Sequence, residues 1–133
     1  MSQQGEMVEP GGHILLVDDD GSALDLHQEA LTNAGFQVET ACDGISALRA
    51  CRMRKPQVVV LDLLMPGMDG GEVLQQLRND ERTRAVPVIA LTGVPEWLQD
   101  HRHAVAEFND ILLKPVPCDL LIQTIWRVLE PEI

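Results

Sequence analysis

Five short apolar runs alternate with five segments of helical periodicity along this chain, and that alternation limits the folds available to it. Strands separated by helices of about 10 to 15 residues are typical of βαβ units, in which right-handed crossovers make the strands parallel. The predicted strands cover residues 13–17, 36–40, 58–61, 88–91 and 111–113, and the predicted helices cover residues 22–34, 45–54, 72–79, 96–106 and 119–129. We therefore predict a doubly wound α/β domain, with helices on both faces of a parallel sheet.

A single domain accounts for the length and the hydrophobic content of the chain. The chain has 133 residues, of which 45% are hydrophobic, and this is enough for one core but not for two. Residues 1–11 include Gly5, Pro10 and Gly11, so we predict a flexible N-terminal tail there and one domain over residues 12–131. The sequence leaves open whether the chain is a stand-alone protein or a segment of a longer one.

Charge and hydropathy exclude several classes of protein. The formal net charge of −11 opposes the basic surface that nucleic-acid-binding proteins need, so direct binding to nucleic acid is not expected. No apolar run reaches the roughly 18 residues that a membrane span needs, and the polar start differs from a secretory signal. Three cysteines without metal-site spacing, Cys42, Cys51 and Cys118, favour reduced structural thiols. We expect a cytoplasmic protein without a membrane segment.

The carboxyl ends of the predicted strands carry polar residues of complementary chemistry. In an open parallel sheet, ligands bind in the crevice outside these strand ends. Capping explains one such residue as readily as function does, but the combination of carboxylates, a hydroxyl and an ammonium favours a site. Its members follow the first, third, fourth and fifth strands: Asp18, Asp19 and Asp20, then Asp62, Thr92 and Lys114.

This combination of groups suits phosphoryl transfer to a carboxylate. Crowded carboxylates repel one another and therefore need a cation. Hard oxygen ligands favour Mg²⁺ in that position. A carboxylate can attack phosphorus and form an aspartyl phosphate. The transfer then depends on positioning and on neutralisation of charge, which Mg²⁺, a lysine and a hydroxyl can supply.

Four segments together resemble the CheY-like receiver domains of response regulators in two-component signalling. They are residues 14–19 (ILLVDD), 60–70 (VLDLLMPGMDG), 88–93 (VIALTG) and 112–115 (LLKP), and the resemblance extends over about residues 13–130. It implies a flavodoxin-like (βα)5 domain with strand order 2-1-3-4-5. It also implies a cis peptide bond between Lys114 and Pro115, and a signalling role rather than that of an ordinary enzyme.

The resemblance also implies a role for each residue at the strand ends. Asp62 would accept a phosphoryl group from a histidine kinase or a phosphotransfer protein. Thr92 would then hydrogen-bond the phosphoryl group, and Lys114 would pair with it. One backbone carbonyl and three carboxylates would hold Mg²⁺, namely those of Leu64, Asp18, Asp19 and Asp62. The domain would catalyse its own phosphorylation and dephosphorylation.

The chain departs from the family pattern at three positions. Ile111 stands where the family usually has an aromatic residue, three residues before the lysine, so an aromatic rotamer switch is in doubt. Leu64 and Val94 are apolar at positions that help to orient the hydrolytic water in the family. Because fewer polar groups are available to orient that water, we predict slow self-dephosphorylation.

The last predicted helix suggests a partner surface. The stripe of Leu121, Ile125 and Val128 has the spacing of a core-facing side, which leaves Ile122 and Trp126 beside it. We predict a surface for a homodimer or for a kinase on the fourth helix, fifth strand and fifth helix, with Trp97 extending the same side. In the alternative interpretation, Trp126 only shields the core.

Two other functions are weighed against a phosphorylated receiver. Residues 17–22 (VDDDGS) are similar to the nucleophile loop of haloacid-dehalogenase-like phosphohydrolases, with Asp18 as the nucleophile and Asp20 as the general acid. That family needs a further acidic pair beyond its lysine, and it would leave Asp62 unexplained. We interpret Asp20 instead as the start of the first helix, and Asp69 as helix-entry chemistry. The third possibility is a phosphate-independent binding module with the receiver fold.

Histidines are not expected to form a further site. His101 and His103 are two residues apart and would point to different sides of a helix, so a metal pair there is not expected. His27 lies within the first helix, where it is expected to pack or to face solvent.

Overall fold

The computed structural model describes residues 12–130, so the predicted tail over residues 1–11 and the last predicted domain residue, 131, lie outside the described residues. The strands are β1 (His13–Val17), β2 (Gln37–Ala41), β3 (Val58–Asp62), β4 (Val88–Thr92) and β5 (Asp110–Leu113). They form one parallel sheet in the order β2-β1-β3-β4-β5. The predicted fold class and strand order are confirmed.

Helices follow each strand, as the alternating pattern predicts. They are α1 (Gly21–Asn33), α2 (Gly44–Met53), α3 (Gly70–Asn79), α4 (Glu96–Asp100), α5 (Arg102–Val105) and α6 (Cys118–Leu129). Among the described residues, no helix combines the length and the apolar character that crossing a membrane requires. The helices cover both faces of the sheet, with α2 to α5 on one face and α1 and α6 on the other.

Side chains alternate between the two faces of the sheet, as the pleat of a strand requires. The first cluster lies between the sheet and helices α2 to α5 and includes Leu15, Val17, Val59, Leu61, Val73 and Trp97. The second cluster lies between the sheet and helices α1 and α6 and includes Ile14, Leu16, Leu31, Val60, Leu121 and Ile125. All residues of β1, β3 and β4 are buried, which explains their continuous apolar sequences.

Aspartates fix the starts of the helices that border the carboxyl edge of the sheet. The Asp20 carboxylate accepts hydrogen bonds from two backbone N–H groups in the first turn of α1. At the start of α3, the Asp69 carboxylate accepts the Glu72 N–H and the Glu72 carboxylate accepts the Asp69 N–H, both at 3.0 Å. This is a capping box. The predicted helix-start roles of Asp20 and Asp69 are confirmed.

A break at His101 divides the helix that was predicted over residues 96–106. His101 has φ −130° and ψ 45°, outside the helical region. Its Nδ1 donates a hydrogen bond of 2.8 Å to the Trp97 carbonyl oxygen, which would accept the backbone N–H of residue 101 in a continuous helix. The rings of these two residues stack with their centroids 3.8 Å apart. The His101 side chain therefore replaces a helical backbone bond.

The predicted position of Trp97 is wrong, whereas Ile122 and Trp126 flank the core as the helical spacing predicts. Trp97 is 6% exposed and belongs to the first cluster, on the opposite face of the sheet from Ile122 and Trp126. Ile122 and Trp126 are half-buried and pack against the second cluster, where the Trp126 ring lies 5.0 Å from the Phe36 ring. Because Phe36 follows α1, these residues close the seam between α1 and α6. Trp126 thus shields the core.

Candidate functional site

The ends of β1 and β3 bring three carboxylates together. Oxygen atoms from Asp18, Asp19 and Asp62 all lie within 4.8 Å of one another. Asp18 is 2% exposed and Asp62 is 4% exposed, whereas Asp19 is exposed to solvent. The parallel register places them at one edge, because β1 and β3 are neighbours that run in the same direction. The site is therefore a compact acidic cluster in which Asp19 is the member exposed to solvent.

Lys114 lies between the two buried carboxylates. Its Nζ is 3.3 Å from Oδ2 of Asp18 and 3.2 Å from Oδ1 of Asp62. Its backbone N–H donates to the Thr92 carbonyl at 2.8 Å, which attaches the lysine to the end of β4. The peptide bond between Lys114 and Pro115 is cis, as the resemblance implies. One ammonium thus bridges the ends of β1, β3 and β5, a contact that was not predicted in detail.

The surroundings of Asp62 shift the pKa of its carboxyl group. Burial raises the pKa of Asp62 from 3.8 to about 6, and repulsion from Asp18 adds to the rise, while Lys114 opposes it. Burial lowers the pKa of Lys114, but attraction to Asp62 and Asp18 outweighs that effect, so this pKa is raised overall. One ammonium does not balance three carboxylates at neutral pH. The site therefore favours a further cation.

Backbone contacts orient the buried carboxylates. Oδ1 of Asp18 accepts the Asp20 N–H at 2.9 Å, and Oδ1 of Asp62 accepts the Leu64 N–H at 3.3 Å. The loop after Asp62 passes close to the start of α3, where a Cβ on Gly70 would lie 2.7 Å from the Leu63 Cα. Only glycine fits at that position without a shift of the backbone. Gly70 therefore sets the path of the loop that carries Leu64.

The Thr92 hydroxyl is engaged by its own loop. Its Oγ1 accepts the Val94 N–H at 3.0 Å and donates to the Val94 carbonyl at 3.2 Å. The same carbonyl accepts the Trp97 N–H at 3.0 Å, so Val94 connects Thr92 to the start of α4. Ile111 is half-buried against the first cluster. Thr92 lies at the same edge of the sheet as the carboxylates, but its hydroxyl bonds Val94 rather than a carboxylate.

The cysteines lie apart from any cluster of metal ligands among residues 12–130. Cys42, Cys51 and Cys118 are free thiols, and Cys51 is buried in the first cluster. Burial raises the pKa of Cys51 to about 11, so this thiol stays protonated near neutral pH. The acidic group of Asp18, Asp19 and Asp62 is the one candidate metal site in the described part of the chain.

The sheet order and the strand-end residues define the receiver class of signalling domain. Residues 14–126 match the family model described as the response regulator receiver domain. The chain therefore belongs to the response regulator receiver domain family. Membership makes it a component of two-component signalling rather than a conventional enzyme.

Similar proteins support this assignment. Protein PilH of Pseudomonas aeruginosa is 34% identical over 116 residues, which cover 87% of this chain and 96% of PilH. The DNA-binding dual master transcriptional regulator RpaA of Synechocystis is 34% identical over 87% of this chain and 48% of RpaA. The chain spans about half the length, or less, of most of the curated relatives it matches.

Solved structures of receivers share the fold. The chemotaxis response regulator CheY4 of Vibrio cholerae superposes with a TM-score of 0.81 and 31% identity. The match covers 90% of this chain and 99% of the CheY4 chain. Similarity of this extent fits a chain whose described residues form one complete receiver sheet with its flanking helices.

Proposed function

We propose that the chain accepts a phosphoryl group on Asp62 from a histidine kinase or a phosphotransfer protein, and that this modification switches its interactions. The observation that carries the proposal is the contact of one lysine with two buried carboxylates beside an exposed third. Asp62 is the carboxylate at the end of a central strand, close to the exposed carboxylate of Asp19. Free cysteines fit a reducing compartment, so a cytoplasmic location is part of the proposal.

The acidic cluster fits Mg²⁺ as the resident cation. Mg²⁺ prefers oxygen ligands and is usually held by one or two carboxylates together with water and phosphate. The carboxylates of Asp18, Asp19 and Asp62, with the carbonyl of Leu64, would supply the protein ligands. When bound, Mg²⁺ would supply positive charge for the oxygens of the incoming phosphoryl group.

In this proposal the phosphoryl group passes directly from the donor to the Asp62 carboxylate. An oxygen of the Asp62 carboxylate attacks phosphorus, the new O–P bond forms, and the bond between phosphorus and the donor breaks with its electrons leaving on the donor. Lys114 already faces Asp62 at 3.2 Å, so its charge is in place before transfer. The Thr92 hydroxyl would leave Val94 and donate to a phosphoryl oxygen.

Substitution separates this function from the hydrolase alternative. Asp20 is exposed and caps α1, so it does not occupy the position of a general acid beside a nucleophile. With acetyl phosphate and Mg²⁺, intact-mass spectrometry should show one added phosphoryl group that is lost in Asp62→Asn. Loss in Asp18→Asn but not in Asp62→Asn would support the hydrolase. No adduct on the unsubstituted chain would support a phosphate-independent module.

The proposed homodimer involves different residues from those first predicted. Leu113 on β5 is 56% exposed and Leu120 on α6 is 39% exposed. Arg127 of α6 forms an ion pair with Asp110 of β5, and Leu120 lies seven residues before Arg127, on the same side of the helix. Leu113 ends the edge strand β5 and Leu120 lies in the first turn of α6, so we place the face of an isologous dimer at this edge of the sheet.

Sedimentation tests this dimer directly. We expect beryllofluoride, a phosphoryl mimic, to increase self-association and Leu113→Glu with Leu120→Glu to reduce it about tenfold or more, because buried unpaired carboxylates oppose association. Leu26→Glu on α1 is the matched control, since Leu26 is 58% exposed on another helix. Equal self-association of the double variant and the control would exclude this face.

The lifetime of the aspartyl phosphate is expected to be long. Leu64 and Val94 are 45% and 36% exposed, so apolar side chains border the approach to Asp62. Replacing both by polar residues, Leu64→Asn with Val94→Glu, should speed dephosphorylation about tenfold, because polar groups can orient the attacking water. The decay of the phosphorylated species by mass spectrometry measures the rate, with Leu120→Asn as the control. An unchanged decay rate in the double variant would refute this explanation.

A further inference from the structure

We propose that His27 is a positioning residue for Lys114, acting through the loop that joins β5 to α6. This inference rests on the proposed role of Lys114 at the phosphoacceptor site. His27 lies on the inner side of α1 and is 6% exposed. Its Nε2 lies 3.2 Å from the Val116 carbonyl oxygen, across 89 positions of sequence. A carbonyl oxygen only accepts, so Nε2 carries the proton and donates.

The loop needs an anchor because its own backbone provides few donors. It runs from Lys114 through Val116 to the start of α6, and Pro115 and Pro117 have no N–H group. Two backbone bonds hold its ends: Lys114 donates to Thr92, and Leu121 donates to the Pro117 carbonyl. Among the described residues, no backbone N–H group donates to the Val116 carbonyl between these ends. His27 supplies a donor at that point.

The anchor lies on the same side of the sheet as the loop's apolar contact. The Val116 side chain is 7% exposed and belongs to the second cluster, as does Leu31 one turn beyond His27 on α1. The loop is thus attached to α1 by a hydrogen bond and to the core by packing. Because Lys114 is two residues from Val116, a shift of the loop would move the ammonium away from Asp18 and Asp62.

His27 is distinct from the other buried histidine. His13 is 8% exposed and its Nε2 contacts Glu39 on β2 at 3.2 Å, at the amino end of β1. The phosphoacceptor site lies at the opposite end of the sheet. His13 therefore provides a control for general effects of replacing a buried imidazole.

Three substitutions at residue 27 separate positioning from simple packing. In His27→Gln the amide nitrogen can stand near the position of Nε2 and donate. In His27→Asn the shorter side chain does not reach Val116, and in His27→Leu there is no donor. Thermal unfolding and circular dichroism establish that each variant folds. His27→Asn serves as the polar control for any loss of stability in His27→Leu.

The first readout is independent of phosphorylation. The side-chain NMR resonances of Lys114, which report its confinement between Asp18 and Asp62, should change in His27→Leu and His27→Asn but stay as in the parent protein in His27→Gln and His13→Leu. Unchanged Lys114 resonances in His27→Leu and His27→Asn would overturn the positioning role. A change in His27→Gln as large as that in His27→Leu would overturn it as well.

The second readout is the rate of labelling by acetyl phosphate with Mg²⁺. We expect roughly a tenfold loss in the Leu and Asn variants and less than about a twofold change in Gln, because small misplacements remote from the chemistry can cost this much or more. Equal rates in all three variants would overturn the inference. If the parent protein itself accepted no phosphoryl group, the proposed function would fail, and the NMR comparison alone would decide the role of His27.

Discussion

In metal-free buffer at pH 7, Asp62→Asn should unfold at a higher temperature than the unsubstituted protein. Burial raises the pKa of Asp62 to about 6, so its ionised form is less stable in the folded chain than in water. Asparagine keeps the shape of the side chain and removes the charge. We expect a gain of about 1 to 2 kcal/mol, which for a domain of this size corresponds to several degrees.

The gain in stability of Asp62→Asn over the unsubstituted protein should increase with pH. Between the unfolded value of 3.8 and the folded value of about 6, the folded chain binds more protons at residue 62 than the unfolded chain does. Stability therefore falls as pH rises through this window, and the penalty is fully present above it. The difference between Asp62→Asn and the parent protein should be small near pH 4 and complete by pH 7. Thermal unfolding at several pH values measures it.

Mg²⁺ should reverse the order of stability, so that the unsubstituted protein unfolds at a higher temperature than Asp62→Asn. A ligand that binds only the folded state stabilises it by about 2.7 kcal/mol at 100 times its dissociation constant. Mg²⁺ should therefore raise the unfolding temperature of the parent protein and have little effect on Asp62→Asn. Asp25→Asn, an exposed change on α1, should behave like the parent protein. A less stable Asp62→Asn, or a pH-independent difference, would contradict the assigned electrostatics.

Lys114→Met should slow phosphorylation by small phosphodonors about 100- to 1,000-fold, the range seen when one preorganised charge-stabilising group is removed from an active site. The ammonium lies within 3.3 Å of both Asp18 and Asp62, so its loss leaves two buried carboxylates facing each other. The incoming phosphoryl group would then add further negative charge to the site. Stopped-flow measurement with acetyl phosphate and Mg²⁺ gives the rate.

A titration identifies the electrostatic origin of that loss. Lys114 lowers the pKa of Asp62, so Lys114→Met should move the Asp62 pKa further upward, as observed by carbon NMR of the carboxyl group. Lys55→Met, which removes an exposed charge beyond α2, should change neither the rate nor the titration. A rate for Lys114→Met within twofold of the parent value would remove Lys114 from the mechanism.

The strand-end residues could be predicted because parallel strands present all their carboxyl ends at one edge. The alternating pattern predicts the parallel sheet, and the strand order that the resemblance implies makes β1 and β3 neighbours, so Asp18 and Asp62 had to approach one another. The contact of one ammonium with both carboxylates was not predicted, because it depends on the reach of the Lys114 side chain. Burial of Asp62 follows from its place at the end of a central strand.

Contacts between distant segments explain what the sequence could not predict. Helical periodicity places Ile122 and Trp126 beside the core stripe, but the direction of the Trp126 ring depends on Phe36, about 90 residues earlier. Likewise, the break at His101 depends on stacking with Trp97, which no propensity describes. His27 was expected to pack or to face solvent, and its bond to Val116 depends on the path of a loop 89 residues away.

Chemical trapping of the phosphorylated residue tests the central proposal most directly. Borohydride reduces an acyl phosphate to an alcohol, so an aspartyl phosphate becomes homoserine at the modified position. After treatment with acetyl phosphate and Mg²⁺, reduction and proteolysis, tandem mass spectrometry should find homoserine at residue 62 and at no other aspartate. Homoserine at residue 18 or 19, or its absence from a chain that carries the phosphoryl adduct, would contradict the assignment of Asp62 as the acceptor.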